Sequence, residues 1–72
     1  MKAIETITTD ESKVLAVLVE TMPNDDTKAY VSYFINGVEV IEWTKLKTQE
    51  QRLFNALADN LCDGLCLTKW SY

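Results

Sequence analysis

The side chains here that could carry chemistry are two cysteines, two pairs of neighbouring carboxylates and a group of aromatics. Cys62 and Cys66 stand in LCDGLC, a Cys-x3-Cys spacing. Two thiols could ligate zinc or cycle through a disulfide. The chain contains no histidine, so a zinc set would need two carboxylates, a poor match to structural zinc sites. A redox pair wants a helix start that lowers the thiol pKa, and these residues straddle an expected helix end. Both are read as reduced, buried thiols acting as small apolar residues, and neither a metal nor a cofactor is expected.

The carboxylates fare no better. Asp25 and Asp26 lie in the polar stretch PNDDT, and Asp59 and Asp63 are four residues apart near a helix end. Acid–base work needs an environment that splits two pKa values, and neither pair has a visible one. Histidine, the commonest general base, is missing. The two glycines, Gly37 and Gly64, are accounted for by a turn and a helix cap, which leaves no phosphate-cradling loop. Asn24-Asp25-Asp26 lacks the later glycine and glutamate of a calcium loop. No enzyme is expected.

The aromatics point to binding. In AYVSYFINGVEVIEW, residues 29–43, Asn36-Gly37 divides two β-type runs. Both central residues of a type I′ turn need φ > 0, which Asn and Gly tolerate. A two-residue loop sets Ile35 opposite Val38, Phe34 opposite Glu39, Tyr33 opposite Val40 and, further out, Tyr30 opposite Trp43. Side chains alternate across a strand. Val31, Tyr33, Ile35, Val38 and Val40 then share the face suited to a core. The other face presents Tyr30, Phe34, Ile41 and Trp43, with Glu39 among them. These five are the expected partner-binding residues, with Asp25 and Asp26 as a further acidic contact. The competing reading folds Trp70, Tyr72 and the first strand over the aromatics as a second small core, since aromatics fit pleated surfaces well.

Around this hairpin, Lys2 to Thr8 reads as a first strand and Thr9 to Ser12 as a turn. KVLAVLVETM, residues 13–22, competes between strand and helix; its valines lose rotamer freedom in a helix, which favours strand. Pro23 to Thr27 is a turn-rich loop. Gln49 to Cys62 is a helix, with Thr48 and Gln51 as a capping box and Leu53, Phe54, Leu57, Ala58 and Leu61 as its apolar stripe. Gly64 is a C-cap, and Leu65 to Tyr72 an edge strand. The fold class is α+β: a small antiparallel meander, β-β-β-β-α-β (or β-α-β-β-α-β), with one amphipathic helix on one face.

Seventy-two residues suit a single small domain, spanning 1–72, with thin stability of its own. The longest apolar run, Val14 to Val19, falls far short of the ~20 residues of a membrane span. MKAIETITTDES turns acidic without an apolar stretch, so no signal peptide is expected and the expected compartment is the cytoplasm. The net charge is −4, all of it carried by residues 1–26. A nucleic-acid binder would show a basic stripe, whereas this chain has one arginine, Arg52. Direct nucleic-acid binding is not expected. The expected function is a small non-catalytic regulator or inhibitor that occupies a surface on a larger macromolecule. Length and composition, by association only, suggest the kind that phages and other mobile elements carry. A homodimer with its sheet faces packed together is the structural alternative, and an acidic mimic of nucleic acid is another.

Overall fold

A computed structural model of the chain describes residues 2–62, and the backbone of residues 68–71; the side chains of residues 25–27 lie outside the description. The elements run β1 (Lys2–Thr8), β2 (Val14–Met22), β3 (Asp25–Ile35), β4 (Val38–Glu39), a 3-10 turn (Trp43–Lys45), α1 (Thr48–Cys62) and β5 (Thr68–Ser71). The class is α+β. Strands β1 to β4 form an antiparallel meander in sequence order, and β5 pairs with β3 in parallel. The ambiguous stretch, residues 13–22, is a strand. The polar loop expected from Pro23 to Thr27 is tighter than that: Pro23 and Asn24 make the turn, and Asp25 already pairs with Met22. Gly64, Cys66, Asp63 and Tyr72, to which roles were assigned above, lie outside the described residues.

Two turns set the registers. Asn36 and Gly37 have φ of 51° and 84°, the left-handed pair that a type I′ hairpin requires. Asn36 also ties this turn to β2: its side-chain oxygen accepts from the Val14 N–H at 2.8 Å, and its own N–H donates to the Val14 carbonyl at 2.8 Å. At the same end of β2, on its β1 side, Thr9 N–H donates to the Lys13 carbonyl (2.9 Å) and Ser12 adopts φ 61°. That is a three-residue hairpin loop closing on a left-handed position.

The hairpin pairing holds for Ile35 with Val38 and Phe34 with Glu39, and then stops. The pairing of Tyr30 with Trp43 expected from the sequence does not form. Its cause is competition for one edge: β5 occupies the side of β3 from Lys28 to Val31, so the backbone of Tyr30 is already taken. After the Val40 N–H donates to the Tyr33 carbonyl at 2.8 Å, the chain leaves the sheet. Trp43 swings to the opposite face, 5.0 Å from the Tyr33 ring and 6.1 Å from Phe54. Val38, placed in the core by alternation, is 70% exposed because β4 runs out beyond the cover of the helix.

The core lies between α1 and one sheet face. Leu15, Val17 and Val19 of β2 and Ala29, Val31 and Tyr33 of β3 are buried against Phe54, Leu57, Ala58 and Cys62. The expected stripe therefore faces the sheet, extended by Cys62. The cap differs. Gln51 N–H donates to the Lys47 carbonyl (3.0 Å), and the Glu50 carboxylate accepts from the Lys47 N–H (3.3 Å). Lys47 with Glu50 thus makes the reach-back half of a capping box, one residue earlier than Thr48 with Gln51. Gln51 is left to donate its side-chain amide to the carbonyls of Trp43 and Leu46, 3.2 Å each. This clamp fixes the connection that delivers Trp43 to the core.

Trp43→Ala should therefore destabilise the fold by about 2–4 kcal/mol, since large-to-small core changes leave a cavity the surroundings only partly fill. Thermal or urea unfolding checks it; a change below about 1 kcal/mol would place Trp43 outside the core.

Candidate functional site

A strand with one face buried must still present its other face. Pairing rows run across β1, β2 and β3, and directly opposite residues share a face. Ala3, Glu5 and Ile7 align with Val19, Val17 and Leu15 on the helix side. The opposite side carries three rows. Ile4, Leu18 and Ser32 form the middle one. Thr6, Ala16 and Phe34 form the next, continued by Glu39 of β4. Lys2, Glu20 and Tyr30 form the last. Val14, opposite Thr8, adds a corner. Among the described residues no element packs over these rows. Ile4 is 69% exposed, Val14 is exposed, and Leu18, Phe34 and Tyr30 are half-buried. The result is an apolar patch edged by a Lys2–Glu20 ion pair of 2.9 Å and by the exposed Glu39.

The expected site residues divide. Tyr30, Phe34 and Glu39 share this open face. Ile41 is 79% exposed but sits past the end of β4, off the sheet. Trp43 belongs to the other face. Asp25 and Asp26 begin β3, with side chains outside the described residues. Ile4, Val14 and Leu18 are additions. Val14 and Leu18 had a signal in the sequence, since VLAVLV is apolar at both parities and either face of β2 would be apolar, whereas Ile4 joins them only through the β1–β2 register.

A second feature is a cleft of about 180 Å³ between the β1–β2 turn and the start of α1, lined by Asp10, Glu11, Lys13, Lys47 and Glu50 among others. Its charges face one another: Lys13 lies 3.4 Å from Glu11 and 3.6 Å from Glu50, and Lys47 lies 3.6 Å from Glu11. Glu50 is 8% exposed, held by Lys13 and by the Lys47 N–H. This network anchors the turn to the helix start, and the charges of Glu11, Lys13, Lys47 and Glu50 are spent on one another. Among the described residues, no group of three metal-ligating side chains comes together, and no helix is long and apolar enough to cross a membrane.

Comparison with protein-family models, with curated proteins and with solved structures finds no match.

The hydrogen bond to Lys13, and then the charge of Lys47, hold the Glu11 carboxyl below its ordinary 4.5. A lowered folded-state pKa means the stabilisation is complete above the ordinary value and is lost as pH falls through the lowered one. Glu11→Gln should therefore melt slightly below wild type near neutrality, with the gap closing on acidification below 4.5 and in high salt. A gap that stays constant across that range would contradict the assignment.

Proposed function

We propose that this chain is a small non-catalytic protein-binding module of the cytoplasm, a regulator or inhibitor that docks the open face of its sheet onto a larger protein. The observation that carries this reading is the continuity of Ile4, Leu18, Ala16 and Phe34 across three strands, with Tyr30 beside them. Exposed apolar patches of a few hundred Å² commonly mark interaction sites, and tyrosine and other aromatics commonly anchor them. With strands ~4.8 Å apart and residues rising ~3.4 Å, the face covers about 400 Å² in projection. A standard interface takes roughly 800 Å² from each partner, so a rim including Glu39 and Ile41 would contribute.

The nucleic-acid mimic loses support. Asp10 and Glu11 stand at one end of β2 and the Asp25–Asp26 segment at the other. Nine extended residues separate them by about 30 Å at ~3.3 Å per residue, too far apart for a phosphate-like array.

Phe34→Glu tests the reading, with Asn55→Glu on the exposed side of α1 as control. Both variants should keep the wild-type circular dichroism spectrum. Phe34→Glu should lose roughly 30-fold or more in affinity for a partner captured by the wild type, the loss typical of a hot spot. A partner released by Asn55→Glu and retained by Phe34→Glu would move the binding surface to the helix.

A further inference from the structure

The edge strand β1 offers a second surface, made of backbone. Thr9 and Lys13 form a bonded pair, Thr9 N–H to Lys13 carbonyl at 2.9 Å. In an antiparallel ladder bonded and non-bonded pairs alternate. Ile7, Glu5 and Ala3 therefore exchange bonds with Leu15, Val17 and Val19. Lys2, Ile4, Thr6 and Thr8 direct their N–H and C=O groups away from β2. Val14 confirms the phase: it is the non-bonded mate of Thr8, and its own N–H and C=O turn to Asn36 on the far side. Among the described residues no strand pairs with the outer edge of β1. Nor does β1 carry the proline or bulge that usually blunts such an edge.

We infer that β1 is the seam of a homodimer, in which two copies pair β1 with β1 antiparallel about a two-fold axis at Ile4. Opposed residues must share a face, and the outward residues must form the bonded pairs. With at least five residues of each β1 (Lys2–Thr8) paired, these conditions admit axes at Ile4, Glu5 or Thr6. An axis at Glu5 sets two carboxylates directly opposite, which is destabilising. An axis at Thr6 sets Glu5 against the second copy's Ile7. The axis at Ile4 pairs Ile4 with itself, Lys2 with the second copy's Thr6, and Glu5 with the second copy's Ala3. It covers one of the most exposed large apolar side chains of the sheet. The seam is electrically neutral, Lys2 against Glu5, although each chain carries −4. Both open faces then lie on the same side, and the Ile4–Leu18 row runs unbroken through the seam. The dimer stands on edge geometry alone. Its consequence, a doubled docking face approaching the ~800 Å² of a standard interface, rests on the function proposed above.

Sedimentation equilibrium across the micromolar to millimolar range, with amide exchange by NMR, tests the inference. The wild type should approach twice the 8.2 kDa chain mass, with the Ile4 and Thr6 amides protected as the dimer forms. Ile4→Lys puts two like charges at the axis, and Thr6→Pro removes an outward N–H that β2 does not use. Both should stay monomeric with the wild-type circular dichroism spectrum. Phe34→Glu, away from the seam, should remain dimeric even if it loses a target protein, which separates this inference from the docking one. Three results would overturn it: a monomer at every concentration, a dimer whose Ile4 and Thr6 amides exchange freely, or a dimer abolished by Phe34→Glu and kept by Ile4→Lys.

Discussion

A helix of fifteen residues, about 22 Å long at ~1.5 Å per residue, is the only covering layer among the described residues, and it can cover one face of a sheet. The rest of the structure follows from that shortage. Strands β2 and β3 are apolar at both parities, so choosing a face for the helix exposes apolar side chains on the other. The helix takes the side of Leu15, Val17 and Val31, which are fully buried with Phe54. Ile4, Leu18, Phe34 and Tyr30 are left to the open side. Burial is worth about 25 cal/mol per Å² of apolar surface, so a second layer on that side would be strongly favourable for whatever supplies it.

Position around the helix start decides which aromatic goes where. Gln51 grips the carbonyls of Trp43 and Leu46, while Glu50 and Lys13 tie the same turn of helix to the β1–β2 loop. Trp43 is thereby spent on the core, beside Tyr33 and Phe54, and is withdrawn from the surface that could meet a partner. A surface without Trp43 depends on Phe34 and Tyr30 as anchors and on aliphatic side chains of β1 and β2 for area.

Much of the architecture was legible because it is written in local chemistry. Asn36-Gly37 announces two positive φ values, and the stripe from Leu53 to Leu61 announces a helix and its inner face. The β-branched residues of 13–22 resolve as a strand. What was not legible is tertiary. Nothing in GVEVIEW says that the β3 edge beside Tyr30 is taken by β5, yet this truncates β4 and reverses the side on which Trp43 lies. Alternation carried past the true end of a strand stops being binding: Val40 still packs against the core as expected, whereas Trp43 lies on the side opposite to the one alternation assigns. The cap slipped by one residue for a related reason: Thr48 and Gln51 satisfy the local pattern, but Lys13 recruits Glu50 and Trp43 recruits Gln51. Of the open face, Tyr30, Phe34 and Glu39 were readable from the hairpin. Ile4, Val14 and Leu18 required the register of two further strands.

The central claim is that the sheet has one covered and one open apolar face. It is tested most directly by methyl NMR with a soluble paramagnetic agent, which broadens signals according to solvent contact. In a monomeric sample strong broadening is expected for Ile4, Val14 and Leu18, and near-complete protection for Leu15, Val17 and Val31. Equal protection of the two sets, in a sample shown to be monomeric, would mean that the chain covers both faces itself, and would contradict the account.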